Sequence, residues 1–122
     1  MAKGDDIEER LLRFAVGVAR LCNSLPRSAV GLHIAGQLLR SGTAPAPNYA
    51  EARAAESPRD FGHKLGIAAK ELYESRMWIR ILAELRLAPD PVTGPLFRES
   101  DELCRIIATS RRTLNARLRA SP

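Results

Sequence analysis

The chain has 122 residues, of which 45% are hydrophobic and only 5% aromatic, and it carries a formal net charge of +5. A chain of this length builds one domain around one core, and the scarcity of aromatics makes that core aliphatic, which suits helix packing and leaves no segment that reads as a sheet strand. No apolar run approaches the roughly 20 residues that span a bilayer, and the charged segment at the N-terminus shows no signal peptide.

Asp5 and Asp6 are good N-cap and first-turn residues, and Glu8 and Glu9 add the charge that a helix N-terminus favours. From there Ile7, Leu11, Phe14, Val18, Leu21 or Cys22, and Leu25 mark one helical face, with Arg10, Arg13 and Arg20 on the outer side. Leu25-Pro26 ends this first helix, because the residue before proline is pushed out of the α region. Ser28 caps a second helix whose apolar face is read as Leu32, Ala35 or Gly36, Leu38 and Leu39. Gly31, Gly36 and Gly42 each cost roughly 1 kcal/mol against Ala in a helix interior, so another backbone is expected to pack closely there. Pro45 and Pro47 break or kink the helix near Thr43 to Pro47, and it resumes for about two turns from Asn48 to Ala55.

Ser57-Pro58-Arg59-Asp60 is a strong start signal, with serine at the cap, proline at the first helical position and an acid at the third. The helix predicted from there to Leu87 would run on the order of 45 Å. Phe61, Leu65, Ala68, Leu72, Ser75, Ile79 and Leu82 alternate steps of four and three, a sustained inward seam. A second seam runs beside it through Ile67, Glu71, Glu74, Trp78, Ile81 and Leu85. Two seams on one helix predict two sets of neighbours, one of them another copy of the chain.

The stretch from Ala88 to Pro95 reads as a proline-stiffened connection, and a fourth helix is expected from about Pro95. It carries Leu96, Ser100, Leu103, Ile107, Ser110, Leu114 and Leu118 at inward spacing, with Phe97, Cys104 and Ile106 widening the apolar surface. Ser121-Pro122 is expected to fray. Cys22 and Cys104 stand singly in apolar faces without ligand spacing, which predicts buried, reduced thiols and a cytoplasmic protein.

Phe14-Ala-Val, Leu25-Pro-Arg-Ser, Gln37-Leu-Leu-Arg-Ser-Gly-Thr, Asn48-Tyr-Ala-Glu-Ala, Arg53-Ala-Ala-Glu-Ser, Asp60-Phe, Lys64-Leu, Ile67-Ala-Ala-Lys-Glu and Glu74-Ser-Arg-Met-Trp follow one another in a single order. This signature resembles the four-helix-bundle proteins encoded in intervening sequences of bacterial large-subunit ribosomal RNA genes. That group is in turn similar to the accessory variability determinants of diversity-generating retroelements. The resemblance covers residues 14–87 well and the fourth helix by length and pattern. It implies an all-α, antiparallel up-down four-helix bundle with a kinked second helix, a single domain over residues 1–122. It further implies a homopentameric ring with a basic surface, no catalytic activity, and for the accessory branch binding of nucleic acid and a reverse transcriptase. Ala44-Pro-Ala-Pro departs from the more usual Ser-Ile-Gly-Ala before the Asn-Tyr pair, which bears on the shape of the kink.

Sixteen of the 19 basic residues are arginine, a side chain suited to bidentate contacts with phosphate or carboxylate. Arg105, Arg111, Arg112, Arg117 and Arg119 follow Leu103 with no acid among them, and Lys64 and Lys70 add charge on the long helix. These seven are the candidate nucleic-acid contacts. Solvated helix faces look the same in sequence, and cations also suit a helix C-terminus. No aromatic platform accompanies the cluster, so the expected contact is with phosphates, tolerant of sequence and sensitive to salt. Trp78, Ile81, Leu85, Phe97 and Ile106 are the candidate contacts between subunits.

Glu71 and Glu74 sit at i, i+3 like half of a di-metal site, but the partner His of a Glu-x-x-His motif is missing. No metal or cofactor is therefore expected. Arg40, Asn48, Glu71 and Glu74 are read instead as structural polar residues, with Glu71 paired to Arg40 or Asn48 across the kink. No nucleophile elbow, phosphate loop or triad spacing points to an enzyme.

Overall fold

A computed structural model describes residues 3–120, all but short connections of them helical. The elements are α1 (Lys3–Ser24), α2 (Ala29–Thr43), α3 (Pro45–Arg53), α4 (Pro58–Glu84) and α5 (Asp90–Ala120). The expectation for Ser121 and Pro122 lies outside the described residues.

Local chemistry sets most of the boundaries. Ser28 Oγ accepts from the Gly31 amide and Ser57 Oγ from the Asp60 amide, both at 3.1 Å, so each serine satisfies a donor that the first helical turn leaves free. α2 and α3 are one bent helix rather than an interrupted one. Ala44 between them keeps right-handed helical angles (φ −75°, ψ −35°), and the Asn48 amide returns to its carbonyl at 3.1 Å. Pro45 and Pro47 bring no N–H, which bends the rod without breaking it. Pro45 itself is fully buried.

α4 ends where Arg86 enters the left-handed region (φ 54°). The Leu87 amide reaches the Leu82 carbonyl and the Arg86 amide the Ala83 carbonyl, both at 3.1 Å, which is the Schellman closure. α5 begins at Asp90, earlier than the expected Pro95. Pro91 costs nothing in a first turn, where its missing N–H has no helical partner, and Pro95 removes one bond at an exposed position. The connection thus shrinks to residues 85–89.

Cross-helix contacts fix the topology. Gly42 lies against Val18, and Arg53 at the end of α3 reaches Asp5 at the start of α1 (2.8 Å). Ser41 and Ser75 pair α2 with α4, while Arg76–Asp101 and Arg111–Gly62 pair α4 with α5. α1 and α4 therefore run one way, and α2–α3 and α5 the other, in an up-down four-helix bundle with a bent second helix.

The core takes Ile7, Leu11, Phe14, Val18 and Leu21 from α1, Ile34 and Leu38 from α2, Leu65, Leu72, Ile79 and Leu82 from α4, and Leu103 and Ile107 from α5. Truncating any of the fully buried leucines costs about 2–5 kcal/mol. Two expectations for α2 need correction. Leu32 and Leu39 face outward, 50% and 44% exposed, because Ile34, Leu38 and Ser41 take the core face. Gly36 has nothing near it, whereas a Cβ on Gly31 would lie 2.0 Å from the Pro26 carbonyl oxygen and one on Gly42 2.7 Å from Val18. On α5, Ser100, Leu103 and Ile107 are buried as expected, Leu114 and Leu118 are half-buried, and Ser110 is exposed.

The buried polar groups are few and satisfied. Ser75 Oγ donates to the Glu71 carbonyl (2.8 Å) and lies 2.9 Å from Ser41 Oγ. Arg10, expected on the outer side, instead grips Glu99 through both Nε and Nη2 (3.0 and 2.6 Å) and also reaches Glu102. The bond to Glu99 outweighs partial burial and holds the guanidinium even more firmly charged than usual.

Candidate nucleic-acid and assembly surfaces

Because α4 and α5 are antiparallel, the N-terminal half of α4 lies beside the C-terminal half of α5. Each brings cations to the same end of the bundle. Their individual settings differ. Lys64 is half-buried and 3.6 Å from Glu51. Arg105 pairs with Asp101 at 3.1 Å, an i, i+4 contact just upstream of the basic run. Arg111 lies across the notch between Gly62 and Gly66 and donates Nε to the Gly62 carbonyl (3.1 Å). Arg112 donates to Thr109 Oγ1 (3.1 Å). Lys70 and Arg119 are exposed and make no hydrogen bond or ion pair with the described residues. Arg117 is exposed.

Lys70, Arg111, Arg112 and Arg119 are therefore the members of the expected set that pair with no carboxylate among the described residues, Arg111 being held by the Gly62 carbonyl instead. Arg59 joins them, sharing a cleft with Asn115, Leu118 and Arg119 at the mouth of the α4–α5 pair. Arg59 was missed because it was read only as part of a helix start, and Arg111 is less available than its sequence position suggested. The Gly62-x-x-x-Gly66 spacing was the available signal that α5 approaches α4 closely here.

The five candidate interface residues fall on different faces. Trp78, Ile81 and Leu85 lie along the outer side of α4 next to α2; the first two are half-buried and Leu85 is 50% exposed. The Trp78 ring meets His33 edge-on at 5.9 Å, and its Nε1 donates to Glu74 Oε2 (3.0 Å). Leu32 and Leu39, turned out of the core, are exposed apolar positions on α2, off the flank where His33 and Arg40 meet α4. Phe97 lies under the Arg76 guanidinium in the α4–α5 groove, and Ile106 is half-buried on α5 against the core. Neither adjoins the Trp78 stripe.

Of the two partners expected for Glu71, Arg40 is the one in contact, at 3.0 Å, and the same guanidinium also pairs with Glu74. Asn48 turns back on its own helix and donates Nδ2 to the Ala44 carbonyl (2.9 Å). The two carboxylates thus share an arginine. Among the described residues no three His, Cys, Asp or Glu side chains converge as a metal site would require. Cys22 and Cys104 are free and buried. Burial pushes the Cys22 thiol up to about 11 and raises that of Cys104, where Arg76 works in the other direction.

The family model for the 23S rRNA-intervening sequence protein matches residues 6–109. The chain belongs to this family. It is also similar to a crystal structure of a protein of unknown function from the S23 ribosomal protein family of Bacteroides thetaiotaomicron. The two superpose with a TM-score of 0.83 at 28% identity, over 91% of this chain and 99% of that one. A comparison with curated proteins finds no match.

Proposed function

We propose that this member of the 23S rRNA-intervening sequence protein family is a non-enzymatic, homo-oligomeric helical bundle that binds nucleic acid, structured RNA foremost, through its arginine-rich end. The observation that carries the reading is that Arg59 and Arg119 share a cleft at the end of the α4–α5 pair, with Lys70 and Arg112 further along the same two helices, none of them in an ion pair with the described residues. Guanidinium groups in that state lose nothing internal by turning to phosphate, and they bind without regard to sequence. A family named for ribosomal RNA intervening sequences puts RNA first among the candidates. Assembly multiplies the effect, since each copy presents the same end and several weak contacts act together. A homopentameric ring is the form implied by the resemblance to the accessory variability determinants. Neither metal nor cofactor has a part in this role. The compartment proposed is the cytoplasm, where buried free thiols stay reduced; no helix among the described residues is long and apolar enough to cross a membrane.

A second reading rests on the apolar stripe of Trp78, Ile81 and Leu85. It makes the bundle a protein-interaction scaffold, docking a partner such as a reverse transcriptase without touching nucleic acid itself. Electrophoretic mobility shift at two salt concentrations separates the two. If five phosphates per subunit are neutralised, log affinity falls against log salt with a slope of roughly −3.5 to −4.5. A flat response or no shift contradicts nucleic-acid binding and leaves the scaffold.

A further inference from the structure

We infer that Tyr73 and the arginines beside it form a seat for one unpaired nucleotide, the base stacked on the Tyr73 ring and its phosphates held by Arg105 and Arg112. This rests on the nucleic-acid reading above and adds to it a class of ligand and a place. The sequence shows no aromatic residue among the basic positions of α5. Antiparallel packing supplies one from α4.

Tyr73, Arg76, Asp101, Arg105 and Arg112 line one cleft of about 150 Å³ between the two helices. Tyr73 is 61% exposed, the most exposed of the large apolar and aromatic side chains, and so is open to a ligand. Its ring is backed by the Arg76 guanidinium, 5.0 Å from the ring centroid. Arg76 is itself fixed, with the Phe97 ring centroid 5.6 Å from its guanidinium and Asp101 Oδ1 at 2.5 Å. Arg76 thus restrains the tyrosine, most of whose side chain stays exposed. A platform restrained in this way orders less on binding than a free side chain would.

Further charge lines the same cleft. Asp101 is shared by Arg76 and Arg105, one carboxylate between two guanidiniums. Arg112, whose bond is to the neutral Thr109 hydroxyl, adds a third cation. The cleft therefore keeps a net positive charge. Arg105 is 78% exposed and free to turn one face of its guanidinium to a phosphate. Aromatic ring and cations within one nucleotide's reach of each other is the arrangement by which unpaired bases are bound without sequence reading, and a paired base offers no open face to stack.

The test is fluorescence anisotropy with a short labelled single-stranded RNA and with the same strand annealed to its complement, using the intact chain. Tyr73→Ala is expected to weaken the single strand about 5- to 100-fold, from the usual contribution of one stacked base, and to leave the duplex unchanged. Tyr73→Phe keeps the ring and is expected to bind the single strand as the parent does. Arg112→Ala weakens both RNAs and lowers the salt slope. Because Tyr73 is largely exposed, its loss leaves the fold in place, and an unchanged circular dichroism melt verifies this. If Tyr73→Ala leaves single-strand affinity unchanged, or weakens both RNAs equally, while Arg112→Ala still weakens both, the seat is wrong and the basic end survives. If the parent protein binds neither RNA, both readings fall together.

Discussion

Replacing Arg40 with alanine removes the cation shared by Glu71 and Glu74 and so tests the polar clamp between α2 and α4. Glu71 is the most sheltered member, its side chain 17% exposed, against 33% for Glu74 and 50% for Arg40. An exposed ion pair contributes about 0–1 kcal/mol, and a hydrogen bond to a charged group about 1.5–3 kcal/mol. With Arg40 half in water, the lower end applies, and the loss should be about 1–2 kcal/mol. For a domain of this size that is a fall in melting temperature of roughly 4–8 °C. Urea unfolding followed by circular dichroism and by the fluorescence of Trp78, the single tryptophan, measures it. The Arg40→Ala, Glu71→Ala double-mutant cycle isolates the pair, with an expected coupling of about 1 kcal/mol. The indole reports locally as well, since Glu74 accepts its Nε1 proton. A coupling under about 0.3 kcal/mol, within the scatter of independent sites, would refute the clamp and leave the α2–α4 contact to Ser41, Ser75 and their apolar neighbours.

Arg86→Gly relieves a non-glycine residue held at φ 54° in the Schellman closure of α4 and is expected to stabilise by about 0.5–1 kcal/mol, the left-handed strain partly offset by glycine's greater freedom when unfolded; a chemical melt that is unmoved or weaker contradicts it. In alkali, stability should fall between pH 9 and 11. Cys22 has its ordinary pKa of 9.0 when unfolded and about 11 when buried, so over that window the folded state keeps a proton that the unfolded chain has released. Cys104 and Tyr49 are raised in the same direction by burial and add to the slope. Cys22→Ala should flatten this part of the profile measured by urea unfolding, and an unchanged slope would mean that the thiol is solvated.

How far residues alone could lead differed along the chain. In α1 and α4 the alternation of threes and fours left one choice of core face, and Leu11, Phe14, Leu65, Leu72 and Ile79 are all buried there. In α2 the expected face joined Leu32 and Leu39 to Leu38 and passed over Ile34, because leucines at near-helical spacing look alike whichever flank they occupy. The small residues decided between the flanks, because Gly42 and Ser41 allow close approach to Val18 and Ser75. The beginning of α5 was hidden by prolines, which mark loops more often than first turns. The sequence narrowed the partner of Glu71 to Arg40 or Asn48, because a kinked helix beside two carboxylates leaves few candidates, and the contact falls to Arg40. The environment of each arginine was not legible, since whether Arg10 meets Glu99, or Tyr73 meets the α5 arginines, depends on the register between helices far apart in sequence.

In the proposed role, assembly through the outer stripe of α4 would turn modest basic ends into an avid surface, and the solution mass tests it most directly. Light scattering coupled to size-exclusion chromatography should give a multiple of the 13.4 kDa chain, fivefold for a ring of five. The Leu85→Glu variant, altered at a position 50% exposed in the single chain, should run as a folded monomer. A parent protein that stays at 13.4 kDa across concentrations contradicts the account.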